Sequence, residues 1–233
     1  MINKDCKIQI LPSQNRRSIS IQVYPDCTVK VRVPRWLPQK NIDQIIEQKQ
    51  AWISKKIEHF QQNQKNLPRK KEYVSGEVFC YLGKEYQLRV VEAKNNSIMH
   101  TESEIFIHKT PKRSVKNILT KWFSDMAKEV FEERLKVNFA IFSKKHQYPY
   151  PNLTLRKMKS RWGSMSSDGN MTLNTHLIHT PFECIDYVIM HELCHLKHKN
   201  HGAKFHKLQG EFTPNYKEIK RRLEDFNIRI GLL

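Results

Sequence analysis

Short apolar–polar alternations open the chain. Ile8 and Ile10, then Ile19, Ile21 and Val23, then Val29, Val31 and Val33 recur at every second position. That period puts one face of a strand against a core. Pro25-Asp26 punctuates the second and third runs, so residues 6–11, 18–24 and 28–33 read as a hairpin or small meander. Over residues 41–62 the spacing becomes helical, with Ile42, Ile45, Ile46, Trp52, Ile53 and Ile57 on the stripe and Asn41 as candidate N-cap. Residues 63–71 are polar and basic around Pro68, a solvated connection. Two strands are expected within residues 73–91, about Leu82-Gly83-Lys84, and a further hairpin over 97–108.

Residues 111–113 mark a boundary, and a long helix is expected after it, over about 114–145. Val115, Ile118, Leu119, Trp122, Met126, Val130 and Phe131 keep helical spacing and form a core face. Residues 153–159 and 171–174 read as strands, and Asp168-Gly169 within 164–170 is a strong hairpin turn. The last apolar-faced segments begin at Phe205 and near Pro214, with Thr213 as candidate N-cap. These elements make an α+β chain in two parts: a β-rich residues 1–112 with one helix, and a helical residues 113–233 with a small antiparallel sheet.

The second part contains the candidate chemistry. Residues 188–196 include His191-Glu192-Leu193-Cys194-His195, an HExxH. On a helix, His191 and His195 stand one above the other and can share one Zn²⁺ at about 2.0–2.1 Å each. Glu192 is rotated about 100° off that face, a poor ligand but well placed to reach a metal-bound water as general base. His201 is the candidate third ligand. Six helical steps would carry it off the ligand face, so the chain must turn after about residue 198. Asn200 and Gly202, which tolerate left-handed backbone, flank it. His198 is a competing donor, and His206 is expected on the surface of a following helix. Arg161, Trp162, Gly163 and Ser164 border the expected cleft as candidate substrate-binding residues, Trp162 with core packing as its alternative role. Tyr216 is a candidate oxyanion stabiliser, with packing as its alternative.

The run Lys157-Met158-Lys159-Ser160-Arg161-Trp162-Gly163-Ser164, then Met171-Thr172-Leu173-Asn174, the HELCHL stretch and His201-Gly202-Ala203-Lys204-Phe205 resemble the YgjP-like metallopeptidase family, a relative of SprT-like and Wss-type zinc proteases. Weaker matches extend through Arg32-Val33-Pro34, Trp52-Ile53 and Tyr81-Leu82-Gly83-Lys84-Glu85-Tyr86. The resemblance implies a zincin-like second part, zinc on His191, His195 and His201, Glu192 as catalytic base, and a protein or peptide substrate. Met165 stands where the family usually has Cys. Most members are known only as metal-dependent hydrolases, so the resemblance conveys chemistry better than substrate.

Charge widens the choice of partner. Forty-one Lys and Arg against twenty-three Asp and Glu leave +18, a field that attracts polyanions such as nucleic acid. No base-reading motif accompanies it. Cys6, Cys27, Cys80, Cys184 and Cys194 are scattered without a CxxC, which excludes a zinc ribbon and fits a reduced, cytoplasmic setting. No signal peptide or membrane span is expected. Two functions therefore compete: a zinc peptidase, with DNA-associated proteins as one substrate class, and a basic nucleic-acid-binding module whose zinc is structural. Hydrolysis of a non-peptide amide is a third.

Overall fold

The computed structural model describes residues 7–24, 26–62 and 71–230, with side chains to Phe226. The connection expected over 63–71 lies outside them except for Lys71, as does Pro25 of the first turn. The chain forms two compact units, residues 1–69 with 227–233, and residues 70–226. The hairpins expected over 73–91 and 97–108 pack into the second unit's core.

In the first unit, β1 (Ile8–Ser13), β2 (Ser20–Val23) and β3 (Val29–Pro34) form a sheet in the order β1-β3-β2. The β2–β3 hairpin is as expected. β1 instead joins β3 in parallel, Ile10 opposite Val31, a pairing that no local turn encodes. The expected single helix is two, α1 (Gln39–Gln48) and α2 (Gln50–Gln62), broken at Lys49 without Pro or Gly. The N-cap of α1 is Pro38, not Asn41. Val29, Val31 and Val33 meet Ile42, Ile53, Ile57 and Phe60 in this unit's core.

The second unit begins with β4 (Val78–Tyr81), β5 (Lys84–Glu92), β6 (Ser97–His100) and β7 (Glu104–Lys109), ordered β4-β5-β7-β6. The β4–β5 turn places Leu82 at φ 48° and Gly83 at φ 79°, the left-handed pair that a two-residue hairpin requires. A Cβ on Gly83 would also meet Pro181 Cγ at 2.5 Å. The long helix is α3 (Val115–Ser143), burying Leu119, Phe123, Ala127, Phe131 and Leu135.

β8 (Asn152–Arg156), β9 (Gly163–Met165) and β10 (Asn170–Asn174) follow, ordered β8-β10-β9. The expected antiparallel sheet is mixed. β10 pairs antiparallel with β9 about Asp168-Gly169 and parallel with β8. β9 falls within and before the stretch read as a turn, since three residues show no alternation. A 3-10 helix (Thr175–His179) leads into α4 (Phe182–Lys197), then α5 (Ala203–Phe212) and α6 (Tyr216–Ile230). Arg134 of α3 grips Asp186 of α4 through two bonds, Nε 2.7 Å and Nη2 2.5 Å, and Asn138 Nδ2 adds a third at 2.8 Å. These bonds fix α4 from behind. No described helix is long and apolar enough to cross a membrane.

Candidate metal centre

Helix α4 starts after Pro181 and carries Glu183 in its first turn, both favourable there. Ile185, Ile189 and Leu193 bury one face. This sets His191 and His195 side by side on another, ring centroids 5.0 Å apart. The helix stops at Lys197, and His198 turns away at φ −128°, ψ 105°. Gly202, at φ −79°, starts α5. Neither Asn200 nor Gly202 uses left-handed backbone, so the expected means of turning is replaced by extended residues. The turn returns His201 to within 4.9 Å of His191 and 4.7 Å of His195, centroid to centroid.

The nitrogens of His191, His195 and His201 offer donor atoms that all lie within 4.8 Å of one another. Two of these rings have a fixed tautomer. His191 Nδ1 gives its N–H to Gln209 Oε1 at 2.9 Å, and His195 Nδ1 gives its own to the His198 carbonyl at 3.0 Å. Their Nε2 lone pairs are thus left for a metal. His201 Nε2 sits 3.0 Å from His191 Nε2. Burial pulls His191 down to about 4, with the bond to Gln209 acting the other way and His195 and His201 adding to the fall. A neutral ring is what a ligand needs. The donor set fits zinc: three imidazoles, and no fourth donor in the group among the described residues, which is the open arrangement of a catalytic site.

Glu192 points elsewhere. It is buried, and a Cβ built on Gly163 would lie 2.7 Å from its Oε1 and 2.9 Å from its Cγ. The backbone N–H of Met165 bonds to it, and Arg161 lies close enough to stabilise its charge. Burial outweighs both and pushes the carboxyl up to about 8. β9 therefore forms the wall against which Glu192 rests. Ser164 pairs with Thr172 in that sheet. Trp162 packs on the core, its Nε1 buried with no partner among the described residues. Tyr216 stacks on His206 at 6.1 Å, and His206 faces His201 at 6.4 Å. Neither His206 nor His198 belongs to the donor group.

Three contributors escaped sequence reasoning. Phe205 is fully buried, with its ring 4.7–4.9 Å from all three histidines. Gln209 is four residues after Phe205 on α5, so both face the triad; the i,i+4 spacing was the available signal. Asn174 is fully buried. Its amide gives to Met158 O and Arg161 O, both at 2.9 Å, and its oxygen accepts from Met158 N and His176 N. Its backbone N–H also bonds to Trp162 O at 2.8 Å. This residue clamps the loop that delivers Arg161 and Gly163.

Comparison with known proteins agrees with this chemistry. No curated protein matches the chain. The crystal structure of the metallopeptidase zymogen of Pyrococcus abyssi abylysin is 24% identical, covering 42% of this chain and 90% of that one, with a TM-score of 0.34. That of the metallopeptidase zymogen of Methanocaldococcus jannaschii jannalysin is 25% identical, covering 42% and 92%, with a TM-score of 0.32. Scores this low say nothing of the fold. The family model of the YgjP-like metallopeptidase domain matches residues 17–226, and so takes in both the clamp and the triad. The chain belongs to the YgjP-like metallopeptidase family, and with it to the metal-dependent peptidases.

Proposed function

We propose that the protein hydrolyses peptide bonds with zinc held by His191, His195 and His201 and with Glu192 as general base. One observation carries this reading: a set of three imidazoles, with no fourth donor in the group among the described residues, shares its helix with a buried glutamate between two of them in sequence. Zinc, when bound, supplies a Lewis acid and acidifies water to a pKa of about 7. Glu192 takes the proton from the attacking water and returns it to the leaving amine. Gly163 gives the carboxylate room, and the Met165 N–H orients it. Arg161, on the same loop, faces incoming substrate. β9 is an edge strand of its sheet, the one against Glu192, and an extended substrate lies along it, main chain to main chain. Tyr216, reached from His201 through His206, serves packing in this reading.

The rival reading, a nucleic-acid module with structural zinc, would need a closed four-ligand set; the donor group has three. The charge of +18 supports a narrower role for nucleic acid, as the scaffold on which protein substrates are met. The test is Glu192→Gln. It is expected to retain one zinc per chain and to lose cleavage of an unfolded protein by about 10²-fold or more. An active Gln variant, or a purified protein that takes up no divalent metal, would sink the proposal. Adding duplex DNA to the same assay reads the scaffold role as a salt-sensitive stimulation.

A further inference from the structure

Two stretches supply residues to the metal centre and to the strand beside Glu192, and the charged side chains within them are all cations. Residues 153–167 contain β9 and the loop that Asn174 clamps. Residues 193–210 contain His195, His201 and the face of α5 that bears Phe205 and Gln209. Neither stretch contains a single Asp or Glu. Together they carry eight cations: Arg156, Lys157, Lys159 and Arg161 in the first, Lys197, Lys199, Lys204 and Lys207 in the second. All eight are exposed. None of them is in an ion pair among the described residues. A lysine-rich background does not account for this, because α3 in the same unit mixes Asp125, Glu129, Glu132 and Glu133 with its lysines. Lys121 there pairs with Asp125 at 2.8 Å.

Resting on the peptidase reading above, we infer that the site selects acidic stretches of polypeptide, with Asp and Glu side chains flanking the bond to be cut. Exposed cations outside any ion pair are free to pair with substrate carboxylates, Arg161 excepted because it already acts on Glu192. Exposed on the stretches that supply the site's residues, they also raise the encounter rate of an anionic segment. A nucleic-acid strand would answer the same charge. Strand-binding grooves, however, alternate cations with exposed aromatic platforms for bases. The sole Trp, Tyr or Phe residues in these two stretches are Trp162, which packs on the core, and Phe205, which is buried under the triad.

The experiment compares three quenched-fluorescence peptides that share one cleavable core and carry Glu, Ser or Lys on both flanks, cut by the zinc-loaded full chain. The Glu-flanked peptide is expected to exceed the Lys-flanked one at least tenfold in kcat/KM at low salt. The ratio should shrink toward one near 1 M NaCl, where screening acts within about 3 Å. A Lys157→Glu, Lys159→Glu double variant is expected to reduce that ratio several-fold. Equal rates for the Glu and Lys peptides at low salt overturn the inference. So does binding of a 20-base-pair duplex that the double variant abolishes, if the peptides show no charge preference. Should the loaded protein cut none of the three, it is the peptidase reading that fails. The charge preference is then read from fluorescence anisotropy of the same peptides on the Glu192→Gln protein, where equal affinities overturn it.

Discussion

Gly163→Ala is the sharpest test of how Glu192, the proposed general base, is held. The added Cβ would lie 2.7 Å from Glu192 Oε1, 2.9 Å from Cγ and 3.1 Å from Cδ, whereas ordinary contact begins at 3.4 Å. The carboxylate must therefore retreat by about 0.7 Å, the difference between 3.4 and 2.7 Å. Glu192 is only 5% exposed, so it cannot swing freely into solvent. Displacement of this order costs reactions about 10²-fold, or roughly 2.7 kcal/mol at 1.36 kcal/mol per decade. The backbone itself accepts Ala, since φ at Gly163 lies outside the left-handed range. The expected outcome is a loss in kcat/KM of about 30- to 100-fold with zinc content and melting temperature near wild type. Gly210→Ala is the control. Its Cβ would find only Tyr216 Cε1, at 3.9 Å, and in a helix interior it should add about 0.5–1 kcal/mol of stability. Assayed side by side on an unfolded protein substrate, a Gly163→Ala enzyme within threefold of wild type would refute the argument that β9 positions Glu192.

Three other outcomes are expected. Gln209→Leu removes the acceptor of the His191 Nδ1–H and should weaken zinc binding about 10- to 100-fold in competition with a chelator; unchanged affinity would show that the bond does not set the tautomer. Asn174→Ala strands the groups that its four side-chain bonds satisfy. At about 1 kcal/mol each this is a loss of about 4 kcal/mol, read by urea unfolding, with Asn174→Asp falling between Ala and wild type. Burial holds His176 at about 4 and His179 below its ordinary value, while an unfolded chain protonates both near 6.5. Their contribution to stability is complete above about pH 6.5 and is lost as pH falls from there toward 4. The melting temperature of His176→Gln should fall less steeply across that window than wild type, and parallel curves would contradict it.

What the sequence disclosed follows from what is local. His191 and His195 are one helical turn apart, and that turn is written in the spacing; the α3 stripe and the Asp168-Gly169 hairpin are written in the same way. The parallel partners were not legible, because Ile10 meets Val31, Leu88 meets Ile105 and Leu155 meets Leu173 across connections that leave no turn signature. β9 was missed because its three residues, a glycine among them, look like the loop that precedes them. The family resemblance quoted Gly163 and Asn174 within longer runs. It did not say that one makes room for a carboxylate and the other ties a loop, since both roles exist only between distant segments.

The HExxH itself is therefore an incomplete description of the site. Its spacing makes two imidazoles neighbours, yet spacing leaves open which nitrogen of each carries the proton. In this chain that choice is made from outside the helix. The Gln209 oxygen comes from α5, and the His198 carbonyl is available because α4 ends one residue earlier. The same return of the chain that brings His201 to the centre also delivers Gln209, since both lie beyond the helix end on one short segment. Lengthening α4 by a turn would remove a proposed ligand, an acceptor for His191 and an acceptor for His195 together. The helix terminus, which carries no recognisable residue of its own, is thus as much a determinant of the proposed metal centre as the histidines are.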